Sequence, residues 1–211
     1  MPNSSEANSS DGIHSLTPKQ GVTAILTTVT STASDVSEWI SKIRYIHRFR
    51  IDRIVVGLGV QWRPSFSKGV RNPAATLQLC VGRHCLIFQL IHADYIPKAL
   101  RRFLRDDRIT FVGVGIGYDE FLLSNYDFCV MNTVELRRLA AVKMDDSDLR
   151  GASMETLASQ VLDLDNVVKP IEIGKSNWDA YQLSLKQVQY ACIDAHVSFE
   201  IGKELEAWEE K

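Results

Sequence analysis

The nearly continuous apolar segment ITFVGVGI, residues 109–116, most limits how this chain can fold. A strand that is apolar on both faces must be covered on both sides, as in parallel sheets flanked by helices. Three strands are predicted in a row before it, over 53–62, 75–81 and 84–90, and Gly82-Arg83 suits a tight hairpin between the last two. Hairpin-linked strands followed by alternating strands and helices predict an α/β domain with a mixed central sheet flanked by helices.

The remaining elements are predicted from apolar periodicity and from capping residues. A β-branched strand is predicted over 22–30, and a further strand over 128–134. The last and longest helix carries an apolar stripe that should pack against the sheet. Helices are predicted from Ser34 onward, over 97–105, from near Tyr118, over 134–142, over 154–163 and over 185–207.

The composition is that of an ordinary globular protein. The chain has 211 residues, which predict one domain over 21–211 after a solvated tail over 1–20. The net charge of −2 gives no overall attraction to nucleic acid, so such binding would need a local basic patch. The four cysteines form no C-x-x-C pair and are expected to be reduced thiols, which favours the nucleus or the cytoplasm over secretion. No apolar run approaches the roughly 18 residues of a membrane span, so no membrane association is expected.

Two acidic positions are candidates for chemistry. Asp119 follows the buried strand at its carboxyl end, where open α/β sheets place their ligand sites. The alternative is a structural carboxylate, which the free N–H groups of a helix start also favour. Tyr190 and Asp194 lie four residues apart and share one face of the last helix. In metal-assisted hydrolysis the carboxylate would hold an ion and the phenol would orient water, whereas the alternative is an ordinary surface pair.

Three segments together resemble the motifs of a known family. VVGLGVQW, ITFVGVGIGYDEFLL and SNWDAYQLSLKQVQYACIDAHVSF are similar, in order and spacing, to the three motifs of the DEDDy-type 3′–5′ exonucleases, and in particular to exonuclease domains of the Werner syndrome protein type. The resemblance covers about residues 22 to 205. It implies a ribonuclease-H-like fold and the removal of nucleotides from a 3′ end with two divalent ions. By this resemblance, Asp119, Tyr190 and Asp194 correspond to catalytic residues of the second and third motifs.

The first motif departs from the family pattern. The family's Asp and Glu, two residues apart on one strand face, fall on Gly59 and Gln61, and Trp62 fixes that register. Two ions about 3.5–4 Å apart need several anionic oxygens around them. Only Asp119 and Asp194 remain to supply them. We therefore expect at most one Mg²⁺ or Mn²⁺, weakly held by Asp119, Asp194 and the Gln61 carbonyl oxygen, and hydrolysis that is weak or absent.

The sequence leaves three functions open. The first is a 3′–5′ exonuclease that acts weakly on the 3′ ends of DNA or RNA. The second is a catalytically inactive module that binds nucleic acid or assembles with proteins, with association of identical copies as one form of assembly. The third, an unrelated nucleotide-binding domain, rests on GVGIG (113–117) alone, which lacks the third glycine of a dinucleotide loop.

Two weaker signals stand outside the motifs. The basic run KIRYIHRFRIDR (42–53) contains Tyr45 and Phe49 and could contact phosphates and bases, although such runs are usually solvated faces. Cys80 and Cys85 flank His84 and form a faint metal-like cluster, for which the alternative is two strand thiols and a turn histidine.

Overall fold

The computed structural model describes residues 10–16, 23–65, 69, 71–165 and 167–210. Seven strands are described: β1 (Ser10–Leu16), β2 (Thr23–Thr30), β3 (Val55–Gln61), β4 (Thr76–Val81), β5 (His84–Phe88), β6 (Thr110–Gly113) and β7 (Thr133–Glu135). They form one sheet in the order β1-β2-β5-β4-β3-β6-β7. The pairs β2/β5, β3/β6 and β6/β7 are parallel, and the other pairs are antiparallel. The α/β class with a mixed central sheet flanked by helices is thereby confirmed.

Helices cover both faces of the sheet. They are α1 (Ala33–Ile46), α2 (Lys98–Leu104), α3 (Ile116–Ser124), α4 (Leu136–Lys143), α5 (Met154–Leu162), α6 (Ile171–Gly174) and α7 (Leu185–Glu204). On one face α1 and α2 meet through edge-to-face contacts that run from Trp39 to Phe103 and on to Phe111 of β6. The long α7 crosses the other face, over β3 and β4. In the part of the chain that the structure describes, no helix is long and apolar enough to cross a membrane.

The predicted order of elements is confirmed, with differences at the boundaries. β6 ends at Gly113, earlier than predicted, because Gly115 adopts a φ of 79° and the chain turns there into α3. Where a strand is predicted over 128–134, the structure has only the three-residue strand β7, which begins at Thr133. The prediction of a solvated tail over 1–20 does not anticipate β1, and the rest of that segment lies outside the described residues.

The backbone of α7 rests directly on β3 at Gly57. A Cβ atom at this position would lie 1.9 Å from the carbonyl oxygen of Ala195 and 2.7 Å from the amide nitrogen of Phe199. Real Cβ atoms do not approach backbone atoms so closely, so only glycine fits here. The contact fixes the position of α7 along the strand, and Asp194 is thereby held above Gly59.

We expect Gly57→Ala to lower the free energy of unfolding by at least about 2 kcal/mol, because the added methyl group must push α7 away from the sheet. Chemical denaturation would measure this loss. Gly117→Ala is the matched control, since a Cβ atom there meets no atom within 4 Å. The control should be as stable as the wild type or slightly more stable, because alanine favours helix. Equal stability of the two variants would contradict the close contact at Gly57.

Candidate active site

A cleft of about 400 Å³ opens where β3 ends. Its walls come from the end of β3, the first turns of α3 and α5, the segment 167–170 before α6, and the first half of α7. Such a position, beyond the carboxyl end of a central strand, is where open α/β sheets place their ligands. The polar side chains that line it are Gln61, Asp119, Glu155, Lys169, Tyr190 and Asp194.

The structure brings the predicted site residues together. Asp119 extends from the first turn of α3, Gln61 ends β3, and Tyr190 and Asp194 extend from one face of α7. Gly59 lies next to Asp194, since a Cβ atom on Gly59 would be 3.6 Å from Asp194 Oδ2. Motif spacing therefore predicts the members of this cluster, while their catalytic and metal-binding roles stay predictions.

Both carboxylate oxygens of Asp194 already accept hydrogen bonds within the protein. Lys169 Nζ donates to Oδ1 at 2.6 Å, and Gln61 Nε2 donates to Oδ2 at 3.3 Å. The side chains of Lys169 and Asp194 are only 17% and 15% exposed, so this ion pair is largely shielded from solvent. Gln61 thus turns its amide nitrogen towards Asp194, and not the carbonyl oxygen that we expected to face an ion.

Lys169 is a site residue that the sequence analysis does not predict. It lies between α5 and α6, in a segment with neither periodicity nor a family motif. Its ammonium nitrogen is 5.1 Å from the centre of the Tyr190 ring. Burial lowers the pKa of Lys169, but attraction to Asp194 and the hydrogen bond to it outweigh burial and raise this pKa above its usual value. The lysine is therefore charged at neutral pH.

Asp119 carries little charge near neutral pH. Burial, helped by the negative charge of Asp194 and opposed by Lys169, raises the pKa of Asp119 to about 8. At pH 7 most Asp119 side chains are therefore protonated. A strongly shifted carboxyl group in a cleft is typical of functional sites, although ion-pair networks in a protein interior produce such shifts too.

Tyr190 is held in place by the segment that follows α6. A Cβ atom on Gly174 would lie 2.7 Å from Tyr190 Oη, so the phenol oxygen packs closely over that glycine. Buried Trp178 donates a hydrogen bond from Nε1 to the Gly174 carbonyl oxygen at 3.1 Å, and its ring centre is 6.0 Å from that of Tyr190. Burial raises the pKa of Tyr190, so the phenol keeps its proton and can donate a hydrogen bond into the cleft.

A second amide side chain, Gln78 of β4, stands beside Gly59, with which it is paired in the sheet. Its Oε1 is 3.0 Å from the position of a Cβ atom on Gly59, and its Nε2 donates to Thr76 Oγ1 at 2.5 Å. Buried Oε1 has no hydrogen-bond partner among the residues that the structure describes. Gln78 thus leans into the space that a side chain at position 59 would need.

The donors in this cleft do not fit the two-ion centre that the resemblance implies. Gly59 offers no side-chain ligand, and Asp194 is engaged by Lys169 and Gln61. Within the described ranges, no three His, Cys, Asp or Glu side chains are grouped so that they could hold a metal ion. A charged ammonium group instead lies among the acidic groups of the cleft.

Aromatic side chains surround the mouth of the cleft. The ring centres of Trp62 and Tyr118 are 5.2 Å apart, and those of Tyr118 and Phe121 are 6.0 Å apart. Arg71 lies over the Phe121 ring, with its guanidinium carbon 5.5 Å from the ring centre. Tyr118 and Phe121 are exposed. Exposed rings beside a guanidinium group form the kind of surface on which nucleic acid bases stack.

The basic run over 42–53 lies at the other end of the sheet. It ends before β3 begins, whereas the cleft lies where β3 ends, and seven residues of strand span roughly 23 Å. Tyr45 and Phe49 are 68% and 84% exposed, and Arg48 lies 4.4 and 4.5 Å from their ring centres. This surface, which we call the basic-aromatic surface, is therefore separate from the cleft.

The other weak signals do not form sites. Cys80 and Cys85 are buried partners across the hairpin, and burial raises the pKa of the Cys80 thiol, which keeps it protonated. The metal-like cluster with His84 is not found among the described residues. In GVGIG the amide of Gly115 donates to Glu135 Oε2 at 2.8 Å, so a carboxylate already binds the turn that a dinucleotide phosphate would need.

Comparisons with known proteins agree with the motif order. A family model described as 3′–5′ exonuclease matches residues 28–208. A 3′–5′ exonuclease of Arabidopsis thaliana is 35% identical over 71% of this chain and 52% of its own length. The mouse bifunctional 3′–5′ exonuclease/ATP-dependent helicase WRN is 31% identical over 73% of this chain and 11% of its own length. Human exonuclease 3′–5′ domain-containing protein 2 is 30% identical over 89% of this chain and 31% of its own length.

Solved structures of a related domain are also similar. A crystal structure of the EXD2 exonuclease domain has 26% sequence identity and a TM-score of 0.49, over 87% of this chain and 92% of that chain. The same domain soaked in Mn and Mg gives a TM-score of 0.48. The present chain spans about half or less of the length of the curated relatives described above.

We expect Asp119→Asn to stabilise the protein increasingly as the pH rises from 5 to 8. In the wild type, the folded state keeps the Asp119 proton up to about pH 8, whereas an unfolded aspartate loses it near pH 4. Rising pH therefore removes stability from the wild type but not from the variant. Urea denaturation in EDTA should show the variant's advantage growing by at least about 1 kcal/mol over this range, within the limit of 1.36 kcal/mol per pKa unit.

Asp106→Asn is a control of opposite sign. Hydrogen bonds from Arg108, joined by Arg44, lower the pKa of Asp106 to about 2. The stability that this carboxylate contributes is present above about pH 4 and is lost only as the pH falls through 2. The free energy of unfolding of Asp106→Asn should therefore be lower than that of the wild type by the same amount at pH 5 and at pH 8. If the difference in the free energy of unfolding between Asp119→Asn and the wild type is also the same at pH 5 and pH 8, Asp119 is ionised throughout this range.

Proposed function

Because this chain belongs to the 3′–5′ exonuclease family, we propose that its cleft receives the 3′ end of a nucleic acid strand and hydrolyses it weakly or not at all. The terminal phosphodiester would lie near Lys169 and Tyr190, which supply a positive charge and a phenol hydrogen-bond donor. The bases would stack on Trp62, Tyr118 and Phe121 at the mouth of the cleft.

The observation that carries this proposal is the engagement of both Asp194 oxygens by Lys169 and Gln61. The charge of Lys169 balances that of Asp194, and Asp119 is mostly neutral at pH 7. Two divalent ions close together need several anionic oxygens, which this arrangement does not provide. Without the ions, several kcal/mol of transition-state stabilisation are missing, and each 1.36 kcal/mol is a factor of about ten in rate.

We propose that at most one Mg²⁺ or Mn²⁺ binds in the cleft, and weakly. An ion at Asp194 would have to separate that carboxylate from Lys169, and breaking a buried pair is unfavourable. Removal of divalent ions should therefore leave the stability of the folded protein nearly unchanged.

A second candidate function is a non-catalytic binding or assembly module. The basic-aromatic surface favours it, because Tyr45 and Phe49 are unusually exposed for aromatic residues and lie far from the cleft. Such a surface suits a protein partner or a second copy of this chain. For either function we propose a place in the nucleus or the cytoplasm, where the buried thiols Cys80, Cys85 and Cys192 would stay reduced.

The double substitution Gly59→Asp with Gln61→Glu should raise Mn²⁺-dependent 3′–5′ digestion at least about tenfold, which corresponds to 1.36 kcal/mol of barrier. The reason is that the new carboxylates stand beside Asp194, on the strand face where the family holds its ions. Labelled single-stranded and recessed 3′ ends at millimolar Mn²⁺ near pH 8 would report the rate.

Gly59→Asn in the otherwise wild-type chain is the matched control, because it adds the same bulk against Gln78 without charge. It should digest no faster than the wild type. If the wild type itself digests ends rapidly and Asp194→Ala abolishes this, the cleft is an active centre as it stands. If no form cuts but the wild type binds the oligonucleotide, the non-catalytic function is favoured.

A further inference from the structure

We propose that the ammonium group of Lys169 takes the place of a divalent cation in this cleft and binds the phosphate of a nucleic acid 3′ end without metal. The inference has two parts. The binding half, that Lys169 binds the phosphate, rests on the proposed function; the metal half, that Lys169 takes the place of a divalent cation, does not. Lys169 Nζ lies 2.6 Å from Asp194 Oδ1, a direct charge-assisted hydrogen bond to a carboxylate of the third motif.

Lys169 is surrounded by the groups that a metal would attract. Asp119, Glu155, Tyr190 and Asp194 line the same cleft as Lys169. Among the described residues that line the cleft, it alone is positively charged. When two of the four carboxylates are replaced by neutral groups, Asp119 and Asp194 remain, and the single charge of Lys169 pairs with Asp194.

The backbone on both sides of Lys169 is anchored, which makes the cation a fixed part of the site. Val167 is buried in the core two residues before it. Pro170 follows it, and the Pro170 carbonyl oxygen accepts hydrogen bonds from the amides of Ile173 and Gly174 in α6. The side chain therefore extends into the cleft from a backbone segment that is anchored on both sides. The Tyr190 ring, 5.1 Å from the ammonium nitrogen, restricts its rotamer.

The ammonium group keeps capacity for a ligand. It has three N–H donors, of which one bonds to Asp194 and another interacts with the Tyr190 phenol. The side chain lines the cleft and is 17% exposed. A phosphate oxygen can accept from the remaining donor, and the Tyr190 phenol can donate to the same phosphate. The ligand class that this predicts is a terminal phosphodiester of a single strand, bound equally well in EDTA and in Mg²⁺.

The metal half is tested with Mn²⁺ alone, by electron paramagnetic resonance of the purified protein. Lys169→Gln removes the charge but keeps an N–H donor for Asp194, so the fold should persist. We expect Mn²⁺ affinity at least tenfold higher than in the wild type, and loss of this gain in Lys169→Gln with Asp194→Asn. Lys169→Arg and the exposed control Lys186→Gln should bind Mn²⁺ no better than the wild type. Equal Mn²⁺ affinity in Lys169→Gln and the wild type would overturn the inference.

The binding half is tested with a labelled single-stranded oligonucleotide in EDTA and in Mn²⁺. The wild type should bind equally in both, and Lys169→Gln should bind at least tenfold more weakly in EDTA, whereas Lys186→Gln should change affinity less than twofold. Wild-type binding only in Mn²⁺ would overturn metal-independent recognition and leave the proposed function standing. Absence of binding in both conditions would instead overturn the proposed function, while the Mn²⁺ measurement without nucleic acid still decides the role of Lys169.

Discussion

The contact of the α7 backbone with Gly57 determines where Tyr190 and Asp194 lie relative to the central strand. Because the carbonyl oxygen of Ala195 fills the space of a side chain at position 57, α7 can neither slide nor rotate on β3 without a clash. Asp194 and Tyr190, one turn apart on the helix, are thereby fixed over the end of the strand. The buried residues of α7 stabilise its packing on the sheet. Gly57 allows the backbones of α7 and β3 to approach closely, and this close contact defines the position of the helix.

The charge balance of the cleft follows from that geometry. A carboxylate held beside a buried strand needs a partner, since a buried unpaired charge costs several kcal/mol. In the family pattern divalent ions supply the positive charge, whereas here Lys169 and the amide of Gln61 saturate Asp194. Burial, joined by the charge of Asp194 and opposed by Lys169, raises the pKa of Asp119. Among the described residues, Asp194 is thus paired without a metal ion.

Sequence reasoning predicts the fold and the motif residues but not the partner of Asp194. Strand burial and helix periodicity place β3, β6 and α7, and motif spacing brings Asp119, Tyr190 and Asp194 into one cleft, because these signals are local. Lys169 lies in an irregular segment whose path depends on tertiary packing, so no periodicity points to it. Gln78 is not predicted for another reason. Its sequence context is that of an ordinary strand residue, and it matters to the site only because it pairs with Gly59 in the sheet.

Replacing an ion by lysine changes what the cleft can do with a phosphodiester. An ammonium group attracts phosphate in the ground state much as in the transition state, so it contributes mainly to affinity. It cannot lower the pKa of bound water as a divalent ion does, and so it supplies no hydroxide for attack. Tyr190 keeps its proton because burial raises its pKa, and it therefore acts as a donor and not as a base. In the function proposed above, the residues that would receive a strand end would thus also work against turnover.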